Sequence, residues 1–308
     1  MTPLSAAVRQ TLKQLGLIGS LLLGPIAAAA VPGIWRTSHP LEKDTRVVKD
    51  RLHAQNNRDH EDCSFLNAVG AVWPADIPNS AAGYSASTGF LIDRCHVLTS
   101  MHAVYTEDVV INPSGGQPVA FAVGQTEGGN RGALQGLKFL LNGVVIAHGD
   151  TIIVDHLVHN PENDWALILL TANVDDAIRP MTIATVDIAR LPVNLPLSTA
   201  GFPADLRELH GDRLGLKDLW ESDGRMVRVV WASTAGAVIE STIQAARGNS
   251  GGPLYGDFDG QRHLVIGMQQ AIRGNGIDVS ESTPNIQIFF TPGTLARIRA
   301  AQGLTSCR

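Results

Sequence analysis

From Cys63 onward the apolar residues come in short bursts, each closed by Gly, Pro, Asn or Asp: FLNAVGAVW, STGFLI, HVLTS, VAFAV, GVVIAH, TIIVDHLV, WALILL, LPLSTAG, MVRVVWAS, AVIES, HLVIGMQQA and IQIFF. Bursts of this length suit strands and are too short for the apolar stripe of a core helix. Many short strands with turn signals between them specify an all-β sandwich or barrel. One segment departs from the pattern. In TPGTLARIRAAQG, Thr291 can cap a helix, Pro292 suits its first position, Leu295 and Ile298 fall one turn apart, and Gly303 can end it. The expected architecture is a β protein closed by one C-terminal helix over about 292–302. There is no internal repeat and no low-complexity tract.

The 308 residues suffice for one large domain or two small ones with filled cores, and 44% hydrophobic against 17% charged content excludes a disordered chain. A net charge of −5 points away from nucleic acid and from anionic membrane surfaces. The N-terminus, MTPLSAAVRQTLKQLGLIGSLLLGPIAAAAVPG, runs from Arg9 and Lys13 into an apolar stretch broken at Gly24-Pro25, then to small residues Ala27 to Ala30. That order describes a signal peptide over 1–30, because the apolar stretch is short and glycine-rich for a membrane span. Residues 31–62 contain RTSHPLEKDTRVVKDRLHAQNNRDHED, dense in charge and amide, and read as a linker, a pro-segment or a peripheral helix ahead of a core that begins at 63. The expected mature protein is secreted or periplasmic and lacks a membrane segment.

Three cysteines, Cys63, Cys95 and Cys307, allow one internal bridge and match no zinc or haem spacing. If the first core strand and STGFLI pair antiparallel, the start of one lies beside the end of the other. Cys63–Cys95 is then the expected disulfide and Cys307 the unpaired thiol. His156 and His159, beside Asp155, lack the further converging ligands that zinc requires, so neither a metal nor another cofactor is expected. GQTEGGNRG lacks the setting and lysine of a phosphate loop and reads as a surface turn.

Three further stretches carry polar residues of catalytic type. STGFLIDRCHVLTSMHAVY places His102 just after a strand, ENDWALILLT places Asp164 just before one that is buried on both faces, and ARGNSGGPLY sets Ser250 among glycines. Taken singly, each has a plain structural reading: a satisfied histidine, a turn acid, a glycine turn. Together and in this order, LTSMHA, NDWALILL and GNSGGPL resemble the chymotrypsin-like (trypsin-like) serine peptidase family over about residues 63–303. The resemblance implies a double six-stranded antiparallel β-barrel with a C-terminal helix, the barrels falling at about 63–180 and 181–290 within a peptidase domain of 63–308. It implies protein or peptide substrates and no cofactor. By resemblance Ser250 is the nucleophile, His102 its base, and Asp164 the group that orients the imidazole and stabilises its charged form. The backbone N–H groups of Gly248 and Ser250 would be the oxyanion donors.

The sequence also departs from the animal digestive members. Asn249 stands where they carry the aspartate that pairs with a newly cleaved N-terminus, and Ala103 stands where many carry a cysteine. GNSGGPL is closer in style to bacterial exported members, including the high-temperature-requirement proteases, although the residues after Ser250 are too few for their additional peptide-binding domain. The family's primary pocket maps by resemblance to Gln244, Gln269, Gln270 and Asn285. None of these is a carboxylate, so a buried lysine or arginine would lack a counter-charge, and cleavage after uncharged residues of small or medium size is expected. Glutamyl-type specificity is the alternative, drawn from Arg247 at the rim but lacking a wall histidine in GMQQAI. A catalytically silent binding protein on the same fold is the other alternative, opposed by a triad with no member missing. Residues 31–62 are candidates for self-inhibition before removal.

Overall fold

The computed structural model describes residues 47–49, 63–74, 87–106, 132–133, 137–141, 144–154, 164–203, 219–234, 236–246, 248–271, 285–305 and 307. The strands are β1 (Val47–Lys49), β2 (Val69–Pro74), β3 (Ser87–Leu91), β4 (His96–Thr99), β5 (Tyr105–Thr106), β6 (Gly132–Ala133), β7 (Leu137–Leu141) and β8 (Val144–Val154). They continue with β9 (Ala166–Leu170), β10 (Pro196–Gly201), β11 (Leu219–Ala232), β12 (Ala237–Ser241), β13 (Pro253–Phe258), β14 (Gln261–Ala271) and β15 (Asn285–Phe289), and the chain closes on helix α1 (Pro292–Gly303).

Strands β2-β3-β4-β9-β8-β7 close into one six-stranded antiparallel barrel. A second forms in the order β11-β10-β13-β14-β15-β12 and is closed by pairing of β11 with β12. The double barrel with a C-terminal helix is the architecture expected from the sequence. The second barrel is filled by a cluster that includes Leu197, Ile239, Leu254, Ile266 and Phe289. In the first, STGFL and HVLT are buried at every position because each strand is covered on both faces. Residues 47–49 of the presumed linker add β1 to the outer edge of β11, with Val47 opposite Glu221 and Lys49 opposite Leu219.

Some boundaries differ from the sequence pattern. FLNAVGAVW divides into the end of a 3-10 turn, Cys63–Ala68, and β2. GVVIAH and the start of TIIVDHLV merge into the single β8, which bends at a register shift between Thr151 and Ile153. PLYGDF forms β13 despite a pattern interrupted by Gly256 and Asp257, because β10 and β14 hold it on either side. Residues 1–30, VAFAV, His156, His159 and most of GQTEGGNRG lie outside the described residues. Among those described, no helix is long and apolar enough to cross a membrane.

The helix starts where the sequence places it: Thr291 Oγ1 accepts from the Thr294 N–H at 3.2 Å, and Pro292 occupies the first turn. Ile298 and Ala301 are buried in the main core cluster, and the Arg297 guanidinium lies 5.7 Å from the Trp165 ring centre. Trp165 directly precedes β9 of the first barrel, so a helix that follows the second barrel in sequence braces the first in space.

The disulfide joins Cys95 to Cys307, which corrects the expected Cys63–Cys95 pair. β2 and β3 do pair antiparallel, with Val69 opposite Phe90, but Cys63 lies a full 3-10 turn before the ladder begins. The last turn of α1 and the tail beyond it instead reach the β3–β4 turn, where Thr305 Oγ1 meets His96 Nε2 at 2.8 Å and Gln302 Nε2 donates to Asp93 Oδ2 at 2.7 Å. Asp93 also accepts from the N–H groups of Cys95 and His96 and meets His96 Nδ1 at 2.6 Å. Partial burial pushes the Asp93 carboxyl up, but the His96, Cys95 and Gln302 contacts outweigh it and hold the group at about 2. The stabilisation from that depressed value is present above the ordinary aspartate range and is lost as pH falls toward 2. Ligand-type atoms of Asp93, Cys95, His96 and Cys307 lie within 4.8 Å of one another, but the two sulfurs are bonded to each other and are not thiolates.

A bridge across a separation of 212 residues removes much chain entropy from the unfolded state. Cys307→Ser is expected to lower unfolding free energy by about 2–5 kcal/mol. Urea denaturation of wild type and variant measures the loss, and a difference below about 0.5 kcal/mol would show that the tail constrains little.

Candidate active site

His102 and Asp164 come from the first barrel. HVLT forms β4, and a 3-10 turn, Met101–Ala103, then lifts His102 out of the sheet. Asp164 lies two residues before β9, which pairs with β4 so that Ala166 is opposite Thr99. That pairing brings together two side chains 62 residues apart. Asp164 Oδ2 lies 2.7 Å from His102 Nδ1, and Asp164 Oδ1 accepts from the His102 backbone N–H at 3.0 Å. The carboxylate is 8% exposed and the imidazole 32%, so the acid is sheltered while the ring is partly open to solvent. Burial opposes the charged imidazole, but the Asp164 charge and hydrogen bond outweigh it and raise the His102 pKa above its ordinary 6.5.

Ser250 comes from the second barrel, in the loop before β13. Its Oγ donates to the Gln270 carbonyl at 3.3 Å. The loop is tied by its own backbone: the Asn249 N–H donates to Ala246 O at 3.1 Å, and the Gly252 N–H to Asn249 O at 2.8 Å. Gly248 has φ of +100°, in the region that favours glycine. Gly251, at φ +82°, could not carry a side chain, because a Cβ there would lie 2.3 Å from Thr88 O. Among the described residues, no acceptor is bonded to the N–H of Gly248 or Ser250. Two amides without partners beside a hydroxyl can receive an oxygen that becomes negative.

Asn249 is buried, and its side-chain oxygen accepts from the Ala246 N–H at 3.3 Å. Of the four residues mapped to the pocket, Gln270 meets Ser250 through its carbonyl, and the Gln244 N–H donates to Ser222 Oγ at 2.9 Å. Gln269 and Asn285 are buried; Gln269 donates to Ile286 O at 3.2 Å, Asn285 Nδ2 to Ile243 O at 2.5 Å. Gln287, which the sequence reading did not single out, is fully buried and donates to Gln269 Oε1 at 3.0 Å. Two-residue alternation along IQIFF puts Gln287 on the same strand face as Asn285, and that was the signal available for it. Arg247 lies outside the described residues.

Two antiparallel six-stranded barrels, one supplying a histidine–aspartate pair and the other a glycine-flanked serine, define the chymotrypsin-like class of serine protease folds. The Trypsin family matches residues 68–288, and the chain belongs to that family. The chain is similar in structure to a Glu endopeptidase solved in complex with MPD, at 19% identity and a TM-score of 0.52, covering 77% of this chain and 91% of that one. It is also similar to the Rv3671c protease of M. tuberculosis in its active form, at 15% identity and a TM-score of 0.45, over 80% and 85% of the two chains. A comparison with curated proteins finds no match.

Proposed function

We propose that this protein is an exported serine endopeptidase that hydrolyses peptide bonds through an acyl-enzyme on Ser250. The observation that carries the proposal is the His102–Asp164 pair, with both carboxylate oxygens bonded to one residue, while the Ser250 loop packs against the end of β4, where a Cβ on Gly251 would lie 2.7 Å from Ser100 N, two residues before His102. A serine hydroxyl is a weak nucleophile at neutral pH, so it must turn from Gln270 O toward His102 Nε2 and lose its proton as it attacks the substrate carbonyl. His102 then returns that proton to the leaving amine. Asp164 keeps the Nδ1 proton in place and stabilises the imidazolium between the two steps. The Gly248 and Ser250 N–H groups hold the oxyanion.

Asn249 supports activity without a newly cleaved, buried N-terminus, since its side chain already serves the Ala246 N–H and has no charge to offer an ammonium. The four pocket residues carry amides and no charge, which supports cleavage after uncharged side chains over cleavage after lysine or arginine. Fluorophosphonate labelling tests the nucleophile, with labelling confined to Ser250 expected. Matched peptides ending in Ala, Val, Leu, Phe, Gln, Glu, Lys and Arg test the pocket. Preference for Lys or Arg would overturn the pocket reading, and preference for Glu would establish glutamyl-type specificity in its place. A wild-type protein that neither takes the label nor cleaves any peptide would be a binding protein on a protease fold.

A further inference from the structure

Thr88 belongs to β3 of the first barrel and is completely buried, yet three of its four hydrogen bonds reach the second barrel. Its N–H donates to Ser250 O at 2.9 Å, its Oγ1 donates to Gly248 O at 2.7 Å, and the same Oγ1 accepts from the Phe202 N–H at 3.2 Å. The fourth, from Thr99 Oγ1 to Thr88 O at 2.7 Å, fixes Thr88 within its own barrel. The direction of the hydroxyl is not free, because a backbone N–H can only donate to it and a backbone carbonyl can only accept from it.

These bonds act on the peptide planes of the nucleophile loop. The plane between Gly248 and Asn249 is held at its carbonyl by Thr88 Oγ1 and at its N–H by Ala246 O. The plane between Ser250 and Gly251 is held at its carbonyl by the Thr88 N–H and at its N–H by Gln269 O. Between them, the Asn249 carbonyl accepts from the Gly252 N–H, leaving the Ser250 N–H directed away from these contacts. Gly248, at φ +100°, has torsions open to it that other residues lack, and the plane that carries its N–H is set relative to the neighbouring plane that Thr88 Oγ1 holds.

Resting on the serine peptidase reading above, we infer that Thr88 is a positioning residue for the reaction: its hydroxyl locks the Gly248–Asn249 peptide plane, which lies between the two planes that carry the Gly248 and Ser250 N–H groups, and so fixes the frame from which both are aimed at the developing oxyanion. Removal of an oxyanion donor outright costs about 10²–10³ in turnover. Loss of the hydroxyl that aims it is expected to cost about 10–100-fold. Thr88→Val keeps the shape and removes the hydroxyl, whereas Thr88→Ser keeps the hydroxyl. T88V is expected to lower kcat by that factor, with KM changed less than about threefold, and T88S to stay within about threefold of wild type in kcat. A peptide aldehyde, which becomes a tetrahedral oxyanion adduct on the serine, should lose affinity to T88V in proportion to kcat, while a cleaved product peptide binds as before. Rates are taken per serine titrated to completion with fluorophosphonate, so an unfolded fraction does not count, and Thr88→Ala replaces T88V if the latter does not fold. Wild-type kcat in the hydroxyl-free variant, or equal impairment of T88S, would overturn the inference. Absence of labelling at Ser250 in the wild type would instead overturn the peptidase reading beneath it.

Discussion

Ser250→Ala is expected to reduce peptide turnover by about a millionfold while leaving the fold intact. The two effects separate because the shape of the loop does not depend on the hydroxyl. Its peptide planes are held by Thr88, Ala246, Gly252 and Gln269 through backbone atoms and the Thr88 side chain. Ser250 Oγ contributes one partly buried bond, to Gln270 O at 3.3 Å. Losing a bond of that length and exposure costs about 1 kcal/mol or less. The Gly248 and Ser250 N–H groups proposed to hold the oxyanion are backbone groups and survive the substitution, so residual hydrolysis should reflect binding and oxyanion stabilisation without a nucleophile. Steady-state cleavage of the best panel peptide, with thermal unfolding of both proteins in parallel, measures the two quantities. Activity above about one per cent of wild type would remove Ser250 from the nucleophile role.

What the sequence made legible follows the range of the interactions. Most strands of both barrels show in their own short apolar runs, although β7, LKFLL, was not singled out, and the helix shows in the Thr291–Pro292 start, because the causes lie within a few residues. β13 escaped because Gly256 and Asp257 interrupt its pattern and its neighbours β10 and β14 decide its state. The Cys95–Cys307 bridge spans 212 residues and depends on where α1 delivers the tail, which no local pattern records. Thr88 reads as one residue of a buried strand, and its partner Gly248 lies 160 residues away. His102, Asp164 and Ser250 stand out only as a trio in the order of a known family, since each taken alone has an ordinary structural reading; of the three, the structure joins His102 to Asp164 directly. Around the residues mapped to the pocket, a register shift between Gln269 and Ala271 displaces β14 against β15, and counting along the strand does not foresee such a shift.

Asp164→Asn is expected to lower turnover by about 10⁴ with almost no change in the site's geometry. One oxygen of Asp164 accepts from the His102 backbone N–H at 3.0 Å, and the other lies 2.7 Å from His102 Nδ1. The backbone N–H can only donate, so an asparagine would keep its single oxygen there and turn its NH₂ toward Nδ1. Nδ1 must then accept, which moves the proton of the neutral ring to Nε2, the atom that should receive the proton from Ser250. The base would be in place and in the wrong tautomer. The pH profile supplies an independent check. In the wild type the charge of Asp164 and its bond to the ring overcome burial and raise the His102 pKa above 6.5, so activity should fall as pH drops through a value above 6.5. The same shift makes the pair's stabilisation fully present below 6.5 and lost as pH rises through the raised value. Asparagine carries no charge, and both burial and the NH₂ bond to Nδ1 favour the neutral imidazole, so the acid limb of kcat/KM should move to lower pH. Measuring kcat/KM from pH 5 to 9 in both proteins tests both parts. A variant retaining more than about a tenth of wild-type turnover, or one whose acid limb stays where the wild type has it, would show that Asp164 neither fixes the tautomer nor sets the charge of His102.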